Sequence, residues 1–134
     1  MIFIDTGAFL ARYLSRDQHH SESIAGWKML ARDPRTCFTS NFVLDELFTL
    51  LGRRAGYGFA AERARSIYAS RTLQILRPDH NDEVQAIALM ARYADQRVSF
   101  TDCVSFQLMR SRHIRLFFGF DRHFELVGFE RWMP

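Results

Sequence analysis

Met1-Ile2-Phe3-Ile4-Asp5 opens the chain, and its reading decides the fold. Consecutive apolar residues with no polar alternation fit a strand buried on both faces, as in parallel sheets covered by helices. The acid that ends the run then sits at the strand's carboxyl end, where open parallel sheets gather their functional groups. The rest of the chain keeps this rhythm. Candidate strands fall at 36–39, 73–76 and 114–118, with 129–132 as a last edge strand. Candidate helices fall at 6–14, 18–32, 40–54, 59–70, 82–94 and 102–113. Short apolar strands alternating with helices predict an α/β fold, a short central parallel sheet flanked by helices. No internal repeat, low-complexity stretch or long linker divides it, so residues 1–134 read as a single domain.

The segment SNFVLDELFTLL, residues 40–51, carries the first sign of chemistry. Ser40 is placed to cap a helix, and Val43, Leu47, Leu50 and Leu51 form its apolar stripe. Glu46 lies three residues after Val43 and four before Leu50, on that stripe. A carboxylate turned inward is costly unless a metal ion or a hydrogen-bonded partner compensates it. Asp45 faces away and is left out of any site. In 82–94 the expected inward face is Val84, Ile87, Ala88 and Ala91.

Three further acids occupy comparable places. Asp5 follows the first strand, Asp121 follows the apolar run Leu116-Phe-Phe-Gly-Phe120, and Asp102 opens a helix after Val98-Ser-Phe-Thr101. Taken singly, each has a plainer reading. Asp102 would cap its helix, Asp5 and Asp121 would be turn residues, and Glu46 would belong to a buried ion pair. Taken together, Asp5, Glu46, Asp102 and Asp121 would repel one another and raise each other's pKa. Divalent cations would cancel that charge. An all-oxygen donor set favours Mg2+ or Mn2+, as one or two ions, and a two-ion clamp suits in-line cleavage of a phosphodiester.

Charge and composition agree with such a partner without demanding it. The net charge is +3, from 18 basic and 15 acidic groups. Setting the four acids aside leaves 11 acidic groups against 18 basic, mostly arginine, and arginine suits phosphate contacts. No apolar run is long enough to span a bilayer, and the amino terminus lacks the basic region of a signal peptide. Cys37 and Cys103 form neither a CxxC motif nor a disulfide framework, which predicts core thiols and a cytoplasmic setting.

Phe3-Ile4-Asp5-Thr6, Thr39-Ser40 through Val43 to Glu46, Ser99-Phe100-Thr101-Asp102 and Phe120-Asp121-Arg122-His123-Phe124 occur in this order, and Val127-Gly128-Phe129 closes the chain. In these motifs the whole chain resembles PIN domains, specifically the VapC-like toxins of prokaryotic toxin–antitoxin modules. The resemblance implies a Mg2+- or Mn2+-dependent endoribonuclease with Asp5, Glu46, Asp102 and Asp121 as its metal-binding and catalytic acids. It implies that Asp5 and Asp102 hold the principal ion, that Glu46 helps bind a second ion or positions water, and that Asp121 completes the set. A metal-activated water would attack the phosphorus and the 3′ oxygen would leave. Thr6 and Thr101 would orient carboxylates or the attacking water. The resemblance also implies a homodimer, an RNA substrate, no membrane, and a small antitoxin whose tail wraps an apolar groove. Phe42, Phe48 and Leu51 on one helix and Trp27 and Leu30 on another are candidate groove residues.

Other features carry less. His19-His20 reads as a polar helix start, because adjacent histidines do not face one ion. His123 reads as a structural residue of its turn, with contact to RNA as the alternative, and Phe117-Phe118-Gly-Phe120 as core strand rather than a base-stacking platform. No P-loop, GxGxxG or zinc pattern is present, and Asp5-Thr6-Gly7 lacks the second aspartate of a dehalogenase-type phosphatase. Two rivals stand beside the toxin: a PIN nuclease of RNA processing or decay without an antitoxin, and a non-catalytic module whose acidic pocket receives a basic peptide.

Overall fold

A computed structural model describes residues 1–133. Its strands are β1 (Ile2–Ile4), β2 (Cys37–Ser40), β3 (Leu73–Leu76), β4 (Leu116–Phe118) and β5 (Glu130–Arg131). Its α-helices are α1 (Thr6–Tyr13), α2 (His20–Arg32), α3 (Asn41–Ala55), α4 (Tyr57–Tyr68), α5 (His80–Arg92), α6 (Phe100–Ser111) and α7 (His123–Leu126). The strands form one sheet in the order β3-β2-β1-β4-β5, and every pairing is parallel. β1 is central and wholly buried, as its unbroken apolar run requires.

The order reverses beside β1. β2 and β3 continue to one side of it, and β4 and β5 lie on the other. Chains leaving β1 and β4 therefore depart to opposite sides, and the gap between them is the crevice where such sheets place their sites. Phe117, Phe118, Phe124 and Phe106 fill the core beneath it, with Phe106 edge-on to Phe124 at 4.9 Å. Trp27 packs on Phe9 and Phe118, and its indole N–H and the Ser23 hydroxyl both donate to the Ala8 carbonyl, at 3.1 and 2.6 Å. These bonds fix α2 to α1.

Helix starts follow local chemistry. The Ser40 hydroxyl accepts from the Val43 amide and caps α3. Asp79 and Asp82 close a reciprocal capping box on α5, which therefore begins before residue 82. α6 likewise begins at Phe100, because Ser99 rather than Asp102 is its cap. Gly56, at φ 97°, breaks α3 from α4 in a conformation that favours glycine. Both cysteines are free and buried.

Two expectations are corrected here. In α5 the inward residues are Ala86 and Leu89, whereas Val84 and Ile87 are 44% and 57% exposed and Ala88 and Ala91 are exposed too. Residues 86–91 are apolar almost all round, so periodicity alone could not choose between faces. Packing on α6 chose the narrow one. The supposed groove residues also divide. Leu51 and Leu30 are core, Phe42 packs edge-on to Phe100, and Phe48 packs against Tyr68. Trp27 and Leu30 do border a cleft between α1, α2 and α4, about 510 Å³ in volume, but no residue of α3 lines it.

Candidate metal and phosphodiester site

At the carboxyl end of the sheet, four elements deliver an acid each to one open pocket. Asp5 is the residue after β1, Asp121 follows β4, Glu46 lies on the second turn of α3 and Asp102 on the first turn of α6. The four acids singled out from the sequence thus line the same pocket, with Thr6, Ser99, Arg97 and His123. Asp45 is exposed on the far side of α3. Leu50, beside Glu46, also lines the pocket, so the stripe on α3 runs from core into site.

Burial sets the electrostatics. Asp5 is 4% and Asp102 7% exposed. Burial pushes the Asp5 carboxyl up to about 7; the hydrogen bond from the Thr6 amide opposes it, and the charges of Asp121 and then Glu46 add smaller upward effects. Burial first, then Asp5, Asp121 and Glu46, push Asp102 up to about 9. Cys103, next to Asp102, is pushed up to about 11, by burial and then by that carboxylate, which marks it as a core thiol and not a ligand.

Unpaired atoms point inward. Asp5 Oδ1, Thr6 Oγ1 and His123 Nδ1 are buried without a hydrogen-bond partner among the described residues. Such groups are costly unless something bonds to them. His123 Nδ1 lies 3.2 Å from Asp121 Oδ1 and 3.9 Å from Asp102 Oδ2. One ligand atom each from Asp102, Asp121 and His123 falls within 4.8 Å of the others. Hard oxygens with one imidazole nitrogen fit a divalent cation such as Mg2+ or Mn2+.

From sequence, His123 is foremost a structural residue of its turn, with RNA contact as the alternative, and not a companion of the acids. It does hold the turn, since its backbone N–H donates to Asp121 Oδ1 at 2.9 Å. That same turn also swings the ring back over the acids. The usable signal was the two-residue spacing: an aspartate that accepts from the amide two residues on folds the chain back on itself. The threonines divide as well. Thr6 lines the pocket, whereas Thr101 does not, and its carbonyl accepts from the Ser105 hydroxyl at 3.1 Å. Ser99 supplies the hydroxyl near Asp102, accepting from the Asp102 amide at 3.1 Å. Arg97 was not singled out at all. It stands at the pocket in a left-handed conformation, φ 55°, uncommon for a residue with a side chain.

Gly119 controls how closely Asp5 can approach. A Cβ built there would come within 2.9 Å of Asp5 Cβ, because β4 and β1 are adjacent and Asp5 N–H still donates to the Phe118 carbonyl at 2.9 Å.

Comparison with known proteins places this geometry. A family model described as PIN domain matches residues 2–130. The chain is 34% identical over 134 residues to the 23S rRNA-specific endonuclease VapC20 of Mycobacterium tuberculosis, covering all of this chain and 99% of that protein. It is 28% identical over 141 residues to the VapC ribonuclease of Archaeoglobus fulgidus, covering 96% of this chain and 83% of that one. The crystal structure of Mycobacterium tuberculosis VapC20, described as a sarcin-ricin loop cleaving toxin, matches with a TM-score of 0.90 at 33% identity, covering 100% of both chains. A parallel five-stranded sheet with an acidic pocket beside its central strand, matched by the family model along nearly its whole length, puts this chain in the PIN domain family.

Proposed function

We propose that the chain is a metal-dependent endoribonuclease and the toxin of a toxin–antitoxin pair. The observation that carries the reading is the convergence of Asp5, Glu46, Asp102 and Asp121 on one pocket, with a buried Asp5 oxygen left unbonded. Asp5 and Asp102 would hold the principal cation, with Asp121 completing the site and Glu46 helping with a second ion or positioning water. The backbone N–H groups of Thr6 and His123 orient Asp5 and Asp121. A bound divalent cation supplies charge neutralisation at the phosphate and a more acidic water. Water is the nucleophile and the 3′ oxygen leaves, so the products carry a 5′-phosphate and a 3′-hydroxyl. Arg97 is the cation placed to meet a phosphate at the pocket mouth.

Relatives named VapC support a small antitoxin as partner. The cleft of Trp27, Leu30, Phe9 and Tyr13, rimmed by Arg12 and Arg63, suits an amphipathic segment of such a protein. Among the described residues, no helix is long and apolar enough to cross a membrane. Free buried thiols and an RNA substrate suit the cytoplasm. The same reading makes the protein a homodimer.

The test is cellular. Expression of the chain alone is expected to arrest growth, co-expression of the adjacent small gene to relieve it, and the Asp5→Asn chain to be harmless yet still co-purify with that partner. Innocuous wild-type expression with no co-purifying product would leave a housekeeping PIN nuclease as the better account. 23S rRNA is the first substrate to map for new 5′-phosphate ends.

Gly119→Val gives a finer test of geometry. It is expected to displace Asp5 and lower cleavage by about 10²-fold, the loss typical of a 1 Å misplacement near reacting atoms. Wild-type activity in that variant would mean that the approach of β4 to Asp5 does not matter.

A further inference from the structure

Beyond the acidic pocket, α1 and α3 pack side by side, and both begin at the carboxyl ends of adjacent parallel strands. Thr6, Leu10 and Leu14 recur every four residues along α1 and its end, and Glu46, Leu50 and Arg54 do so along α3. Each set therefore lies on one face of its helix. The first two members of each set line the acidic pocket. Leu14 and Arg54 line the next hollow, together with Arg16. The two hollows therefore follow one another along the groove between α1 and α3. From Glu46 to Arg54 is about 12 Å along the helix axis.

The groove has a leucine floor and cationic ends. Arg97 stands at the acidic end and Arg16 and Arg54 at the other. All three are exposed, and none forms a salt bridge among the described residues. The far hollow also holds one acid, Asp17, whose Oδ1 already accepts from the His19 amide at 2.8 Å. We infer that a single strand of RNA follows this groove away from the cleaved bond, with Arg54 and Arg16 gripping a phosphate beyond the scissile one. The inference rests on the ribonuclease reading. Helices packed about 8–10 Å apart are in side-chain contact, so the depression between them is a surface furrow that one extended strand can follow. Guanidinium groups match phosphate oxygens as paired donors, and the leucines suit base faces.

The test compares two charge reversals of equal size. Arg16→Glu with Arg54→Glu alters the groove. Arg112→Glu with Arg115→Glu alters the end of the sheet where β4 begins, away from the pocket. Binding of a fluorescein-labelled single-stranded RNA is measured in the Asp102→Asn chain, and kcat and KM in the otherwise wild-type chain. The groove pair is expected to raise Kd and KM roughly tenfold and leave kcat unchanged. It should also flatten the dependence of log Kd on log salt by about 0.7 for each phosphate that the chain no longer neutralises. The control pair should change Kd less than twofold. Equal behaviour of the two pairs would overturn the groove, whether or not the chain cleaves. Binding through the groove without any cleavage by the wild-type chain would overturn the catalytic reading instead.

Discussion

Asp5→Asn and Asp102→Asn are each expected to lower RNA cleavage by about two orders of magnitude or more, because on the proposed reading each removes a charged ligand from a metal clamp. Both side chains are almost wholly buried, and both feel the other acids at close range. An amide keeps the shape and loses the charge, so the fold should survive where the activity does not. EDTA should abolish cleavage, and Mg2+ or Mn2+ should restore it in the wild-type chain alone. Asp45→Asn is the matched control. It neutralises an acid next to Glu46 on the exposed side of α3 and should change the rate little. Full activity in excess EDTA would remove the metal from the mechanism. A severe loss in Asp45→Asn would mean that charge on this helix matters irrespective of the face it occupies.

The parts of the fold that were legible are those where one signal had one solution. The run Ile2–Ile4 can only be a doubly buried strand, and it is the centre of the sheet. Glu46 could be placed because the stripe around it left one face for the core. Where a segment is apolar on several faces the signal fails, as in α5, whose inward side was decided by α6 and not by its own period. Caps shifted helix starts by about two residues, since Asp79 and Ser99 begin their helices earlier than the apolar pattern suggests. His123 and Arg97 escaped for a different reason. Their roles at the pocket depend on a side-chain-to-backbone turn and a left-handed residue, neither of which leaves a periodic trace. Of the groove residues expected on α3, Leu51 is core, and Phe42 and Phe48 are half-buried because they found neighbours in α6 and α4.

In the absence of metal the folded chain should become less stable as the pH rises from about 4 to about 9, opposite to the usual effect of paired carboxylates. The sign follows from the two buried acids. Asp5 is pushed up to about 7 and Asp102 to about 9, from an ordinary 3.8. Over that interval the folded chain holds protons that the unfolded chain has released. Their contribution is complete below the ordinary value and is lost as the pH climbs through the raised ones. The two acids interact, so the loss belongs to the pair and should be spread over the whole interval. Asp5→Asn and Asp102→Asn remove that loss. At pH 8 in EDTA each should melt above the wild-type chain, by about 3–5 °C if roughly 1 kcal/mol of repulsion is relieved. Asp121→Asn, which removes a charge facing both, should melt at or above the wild-type temperature. At pH 4 the differences should shrink, since the buried acids are then neutral in every chain. Added Mg2+ should reverse the order, because an ion that binds the folded wild-type site stabilises it in proportion to its affinity, and the variants bind it worse. Thermal melts at pH 4 and pH 8, with EDTA and then with saturating Mg2+, read all of this in one set of curves. A clear drop in the EDTA melting temperature at pH 8 for both Asp5→Asn and Asp121→Asn would show that these carboxylates hold the fold together, and the strain attributed to the metal-free cluster would have to be abandoned.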